Sequence, residues 1–168
     1  MSKAFTREDD ASDIPVLPLL VSPLPPGAKN YLTPEGAVRL RAELARLVDA
    51  DRPKLLAASS SDADAKRELA VLDQRIRYVQ QSLASAEIVP PTSPSDGQVR
   101  FGSTVTVRDG QGNESVYRIV GVDEADFERN EVSWLSPVAR ALMNAKLGQH
   151  VAFKLPRGAT ELEIIEIT

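Results

Sequence analysis

Cysteine is absent from the 168 residues, which excludes a disulfide framework and a thiolate metal site. Histidine occurs once, at His150, with no ligand pattern around it. No Ser-His-Asp order can be read, and His150 is expected at a strand edge. Gly110 and Gly112 belong to a turn, without the spacing of a phosphate loop. No apolar run approaches the length of a membrane span. The N-terminus lacks a charged start followed by an unbroken apolar stretch, so no secretory signal is expected and the cytoplasm is the expected compartment. Positive charge is nowhere concentrated. Residues 1–29 carry three positive and four negative side chains, residues 30–89 nine of each, and residues 90–168 eight and eleven. That balance argues against autonomous nucleic-acid binding, which needs clustered Lys and Arg to displace counterions.

What is present is a helical stretch from Thr33 to Ala86. Leu69, Leu72, Ile76, Val79 and Leu83 recur at alternating spacings of three and four, a heptad seam. Ala37, Leu40, Leu44 and Leu47 keep the same rhythm, followed by Leu55 and Ala58. Ser59-Ser60-Ser61-Asp62-Ala63-Asp64 reads as the turn between two arms. Arms of about 25 residues span roughly 37 Å each. Thr33 is a good N-cap, Pro34 fits the first helical position, and Glu35 suits the positive helix end. Pro53 removes a backbone donor and should bend the first arm. The apolar phase slips there, because Leu47 to Leu55 covers eight residues rather than seven.

The rest divides by composition. Residues 1–29 are expected to be a disordered tail, acidic first and then Pro-rich, with five prolines between Ile14 and Pro26. Residues 90–97 are a linker between the hairpin at 30–89 and a domain at 98–168. In that domain Val105 and Val107 alternate with polar residues, and Asp109 to Asn113 is a hairpin turn. Val116 to Val122 and Glu131 to Leu135 are further strands. Ser136-Pro137 caps a helix running through Met143, and Val151–Leu155 with Leu162–Ile167 is a closing hairpin. Trp134 and Phe153 are expected core residues. The fold class is α+β: a two-helix coiled-coil hairpin plus a small antiparallel sheet covered by one helix.

Three segments together resemble the Gre family of bacterial transcript cleavage factors, most closely its GreB branch. The first is Asn30-Tyr31-Leu32-Thr33-Pro34-Glu35-Gly36, continuing to Arg52-Pro53. The second is Arg75-Ile76-Arg77-Tyr78-Val79 with Ala86-Glu87-Ile88-Val89. The third is Ser136-Pro137-Val138-Ala139-Arg140-Ala141-Leu142 with Gly148 and Pro156-Arg157-Gly158. The resemblance implies an FKBP-like C-terminal domain that grips the rim of RNA polymerase's secondary channel, with Ser136, Pro137 and Arg140 on the partner-binding side. It implies a hairpin that enters the channel toward the active site and the nascent RNA 3′ end. The resemblance implies no cofactor of the protein's own, the Mg²⁺ of this chemistry belonging to the polymerase.

The family's hairpin tip carries Asp and Glu three residues apart, followed by Asn. Two such carboxylates share a helix face and can meet one hard cation. This chain has no such motif, and the region between Pro53 and Arg75 is shorter than the GreB pattern by roughly a dozen residues, or about 9 Å of reach per arm. Asp62 and Asp64 are the remaining tip acids. Two readings stand for them: a cap with a dipole partner, or shared Mg²⁺ ligands in a complex. The sequence is thus expected to encode a polymerase-binding accessory factor with weak or no cleavage stimulation. An active cleavage factor using Asp62 and Asp64 is the alternative. A third reading is the same fold on another partner, as in the regulator of nucleoside diphosphate kinase.

Overall fold

A computed structural model describes residues 22–92, 96–156 and 158–168. The tail expected at 1–29 lies outside the described residues as far as 21, and so do residues 93–95 of the linker expected at 90–97.

The chain first forms β1 (Asn30–Leu32) and then α1 (Pro34–Arg46). Thr33 caps α1, its hydroxyl accepting from the Gly36 N–H at 3.0 Å, and Pro34 occupies the first turn. A five-residue π-turn, Leu47–Asp51, joins α1 to α2 (Arg52–Ala58). The irregularity expected at Pro53 therefore takes the form of a widened turn. Two ordinary turns cover about seven residues. One wide turn adds the eighth, so Leu47 and Leu55 return to the same side. Leu47 is buried and Leu55 half-buried, consistent with a continuous seam.

α3 (Ala63–Ser85) runs back along the first arm. Arg52 meets Asp73 at 2.8 Å, and Arg75 forms a two-pronged pair with Glu43 at 2.8 and 3.0 Å. Of the expected seam, Ile76 and Val79 are buried, and Leu69, Leu72 and Leu83 are half-buried. The tightest packing is at the base, where Leu32, Ala37, Leu40 and Val79 form a buried cluster. Toward the tip only Ala65 is buried, and no residue of α2 is. The base is closed by a strand pair outside the expected elements. β1 lies parallel to β2 (Ala86–Ile88), joining the start of one arm to the end of the other. A parallel pair needs a long crossover, and here the whole hairpin supplies it.

The C-terminal part is a five-stranded sheet of order β5-β4-β3-β7-β6. Its strands are β3 (Thr104–Asp109), β4 (Glu114–Val120), β5 (Glu131–Ser133), β6 (His150–Leu155) and β7 (Gly158–Ile167). The expected all-antiparallel sheet is corrected here, because β5 runs parallel to β4. After Val120 the chain turns through two 3₁₀ turns, Val122–Glu124 and Phe127–Arg129, which carry it back beside Arg118, so that Glu131–Ser133 runs parallel to Arg118–Val120. Val122, expected in the strand, begins the first of these turns. α4 (Pro137–Leu142) follows, capped by Ser136 accepting from the Ala139 N–H at 3.2 Å. The core is aliphatic: Val99, Val105, Val107, Ile119, Leu142 and Ile164 are buried within it. Trp134 and Phe153, expected in the core, instead pack half-buried around it.

Deleting Ala50 tests the π-turn. It leaves Leu47 and Leu55 seven apart but places Pro53 inside a regular helix. The deletion alone should cost about 3 kcal/mol in urea denaturation, and adding Pro53→Ala should recover most of it.

Candidate functional site

The tip, the base and α4 carry the side chains with the most to say about function. At the tip, Ser59, Ser60 and Ser61 hydroxyls donate to the carbonyls of Leu56, Ala57 and Ala58, closing the end of α2. Asp62 caps α3, its Oδ1 accepting from the Asp64 N–H at 2.9 Å. Asp64 is 80% exposed in its side chain and pairs with Arg67 at 3.1 Å. Both acids are thus engaged within one turn of α3. Among the described residues no three His, Asp or Glu side chains gather as a metal cluster. Arg67 and Arg75 each face an acid of the hairpin; Arg77 is exposed with no ion-pair partner among the described residues.

The base is built around a carboxylate that is not among the expected site residues. Glu124 is 1% exposed in its side chain. Its Oε2 accepts from the Thr33 N–H at 2.9 Å and the Gly121 N–H at 2.8 Å, and its Oε1 accepts from the Thr33 hydroxyl. A residue of the sheet domain therefore completes the N-terminus of α1, where negative charge is favoured. Arg39 stands 3.8 Å from Glu124 and 3.0 Å from Glu131, and Arg118 bridges Glu131 and Glu35 at 3.6 and 3.1 Å. Charges of alternating sign thus run from α1 into the sheet. Next to Glu124, Asp123 accepts hydrogen bonds from the Tyr78 and Ser82 hydroxyls of α3. Both arms are held by two consecutive acids.

Apolar contact completes the joint. The Tyr31 ring lies 5.3 Å from Trp134 and 5.7 Å from Phe101, centroid to centroid. Backbone approach is very close. A Cβ on Gly36 would sit 1.7 Å from Glu124 Oε1, and one on Gly121 would sit 2.1 Å from the Tyr31 carbonyl oxygen. The available signal was Gly121 followed by Asp123-Glu124 immediately after an apolar strand, but nothing in that signal names Thr33 or Tyr78 as partners.

Ser136, Pro137 and Arg140 lie at the cap and along α4, with Pro137 and Arg140 exposed. They are not brought together with Asp62 and Asp64. From Asp64 to Ser82, where α3 meets Asp123, is roughly 27 Å of helix.

The chain is 38% identical to transcription elongation factor GreB of Neisseria meningitidis over 152 residues, covering 83% of this chain and 93% of that protein. The chain belongs to the GreA/GreB family of transcription elongation factors. It is also 38% identical to GreA of Legionella pneumophila over 154 residues, covering 83% of this chain and 96% of that one. Residues 94–168 match the family described as transcription elongation factor, GreA/GreB, C-term. Among solved structures it is similar to GreA factor homolog 1 (Gfh1) of Thermus thermophilus, at 26% identity and a TM-score of 0.39, covering 84% and 99% of the two chains. No helix of this GreA/GreB chain, among the described residues, is long and apolar enough to cross a membrane.

Two outcomes are expected at the joint. Gly36→Ala should destabilise the chain by about 2 kcal/mol in thermal or urea unfolding, because the added methyl must displace Glu124. Tyr78 titrates unusually: burial first, then the bond to Asp123, pushes its hydroxyl from 10.0 up to about 12. The raised folded value stabilises the protein below the unfolded value near 10, and that contribution is lost as pH rises through about 12. Absorbance titration should show a late tyrosine phase, and Tyr78→Phe should abolish it.

Proposed function

We propose that this chain is a transcription factor that binds bacterial RNA polymerase in its secondary channel and regulates transcription there, with weak or no stimulation of RNA cleavage. In this reading the hairpin at 30–89 acts as an antiparallel coiled coil. The linker at 90–97 separates it from an FKBP-like domain at 98–168, which holds the channel rim through Ser136, Pro137 and Arg140. The tip is the part that faces the nascent RNA 3′ end. The protein is an accessory factor rather than an enzyme.

The observation that carries the reading is the engagement of the tip acids. Asp62 is turned back to cap its own helix, and Asp64 is paired with Arg67. Each acid is occupied within its own helical turn, which supports a reading in which neither is lent to a shared Mg²⁺, and no hydrolytic step is routed through them. Length points the same way. An alignment of 152 positions that takes in only 83% of a 168-residue chain leaves roughly a dozen of the relative's positions without a counterpart. Removed from the arms, they would shorten each by about 9 Å, several metal–ligand bond lengths. The alternative, an active cleavage factor, draws on the exposure of Asp62 and Asp64 at the apex.

The test is RNA 3′-end shortening in backtracked elongation complexes at saturating protein. The proposal expects cleavage at least about 100-fold slower than with a GreB control, a deficit of roughly 3 kcal/mol in barrier, and inhibition of that control when both are present. Rapid shortening overturns it. If Asp62→Asn with Asp64→Asn then abolishes the shortening while polymerase binding persists, the alternative holds.

A further inference from the structure

Charge is distributed unevenly in a way that the docking contacts at Ser136, Pro137 and Arg140 do not use up. From Val132 to Thr160 the sequence contains no Asp or Glu, in a chain whose net charge is −4. The same 29 residues contain Arg140, Lys146, Lys154 and Arg157. The fold gathers most of this stretch at one edge of the sheet domain. α4 packs against β6, and β6 is an edge strand that pairs only with β7.

The cations of this edge differ from the others in the domain. Arg100, Arg108, Arg118 and Arg129 each stand within 4 Å of an acid. Arg140, Lys146 and Lys154 are exposed and have no ion-pair partner among the described residues. Leu147, 59% exposed, sits among them. The turn that presents Leu147 is firmly held. The Lys146 N–H donates to the Gln149 side chain at 3.0 Å, and the Gly148 N–H donates to the Ile164 carbonyl at 2.7 Å. Lysine on an edge strand also discourages strand addition, so a partner would meet this edge through side chains rather than backbone.

We infer that the α4–β6 edge is a basic docking surface for an acidic protein surface on RNA polymerase, with Lys146 and Lys154 extending the contact beyond Ser136, Pro137 and Arg140. The inference rests on the polymerase-binding reading above. Charge complementarity of this kind mainly sets association rate and salt dependence. Exposed charges act over about 10 Å at 0.1 M salt and about 3 Å at 1 M.

The test is fluorescence anisotropy of the full chain with core RNA polymerase, comparing the parent with Lys146→Gln/Lys154→Gln, which leaves Arg140 in place. The expected result is about 5- to 10-fold weaker binding near 0.1 M salt, narrowing toward equality near 1 M, with Lys146→Arg/Lys154→Arg matching the parent. Recovery in the arginine variant excludes a folding loss. Equal affinity and equal salt dependence of the glutamine variant and the parent overturn the inference while the docking reading stands. A parent that does not bind polymerase overturns both. If the glutamine variant loses affinity for single-stranded RNA but keeps it for polymerase, the edge serves nucleic acid and the inference is overturned.

Discussion

The Glu124 carboxylate, buried between α1 and the sheet, fixes how the two halves of the molecule meet. A buried charge costs several kcal/mol unless its lone pairs are filled. Here they are filled by Thr33 and Gly121, with Arg39 close by. The donors come from both halves, so separating the halves would leave a charge and several N–H and O–H groups without partners. Asp123 doubles the attachment by taking Tyr78 and Ser82 from the other arm. The hairpin is therefore clamped at its base through both helices, and the tip points where the joint directs it.

This clamp explains the gradient along the hairpin. Buried apolar residues concentrate near Leu32, Ala37, Leu40 and Val79, while the distal half relies on half-buried leucines and on ion pairs such as Arg52 with Asp73. Such partly exposed pairs are screened by solvent and contribute little, on the order of 1 kcal/mol each. A slender arm with a thin core keeps its direction only if its root is rigid, and the polar joint supplies that rigidity.

Local signals are legible in the sequence: the Thr33, Asp62 and Ser136 caps and the Asp109–Asn113 turn all depend on residues within a few positions of each other. What escaped reading depends on distant partners or on accommodation. Glu124 looks like a loop acid until Thr33, 91 positions earlier, is placed against it. The parallel pairing of β5 follows from the same anchoring, since the chain must reach the hairpin base before returning beside β4. The eight-residue step from Leu47 to Leu55 was visible, but its resolution as a π-turn before Pro53 was not. At the tip, Asp62 and Asp64 were recognised as the remaining acids, and the structure adds that each is engaged within its own helical turn.

Because the chain lacks cysteine, two introduced thiols can be labelled uniquely. The decisive measurement is the spin-label distance distribution between Ser60→Cys at the tip and Gln111→Cys on the β3–β4 turn. A clamped joint predicts one narrow distance peak in solution, whereas a broad or multi-peaked distribution would contradict it.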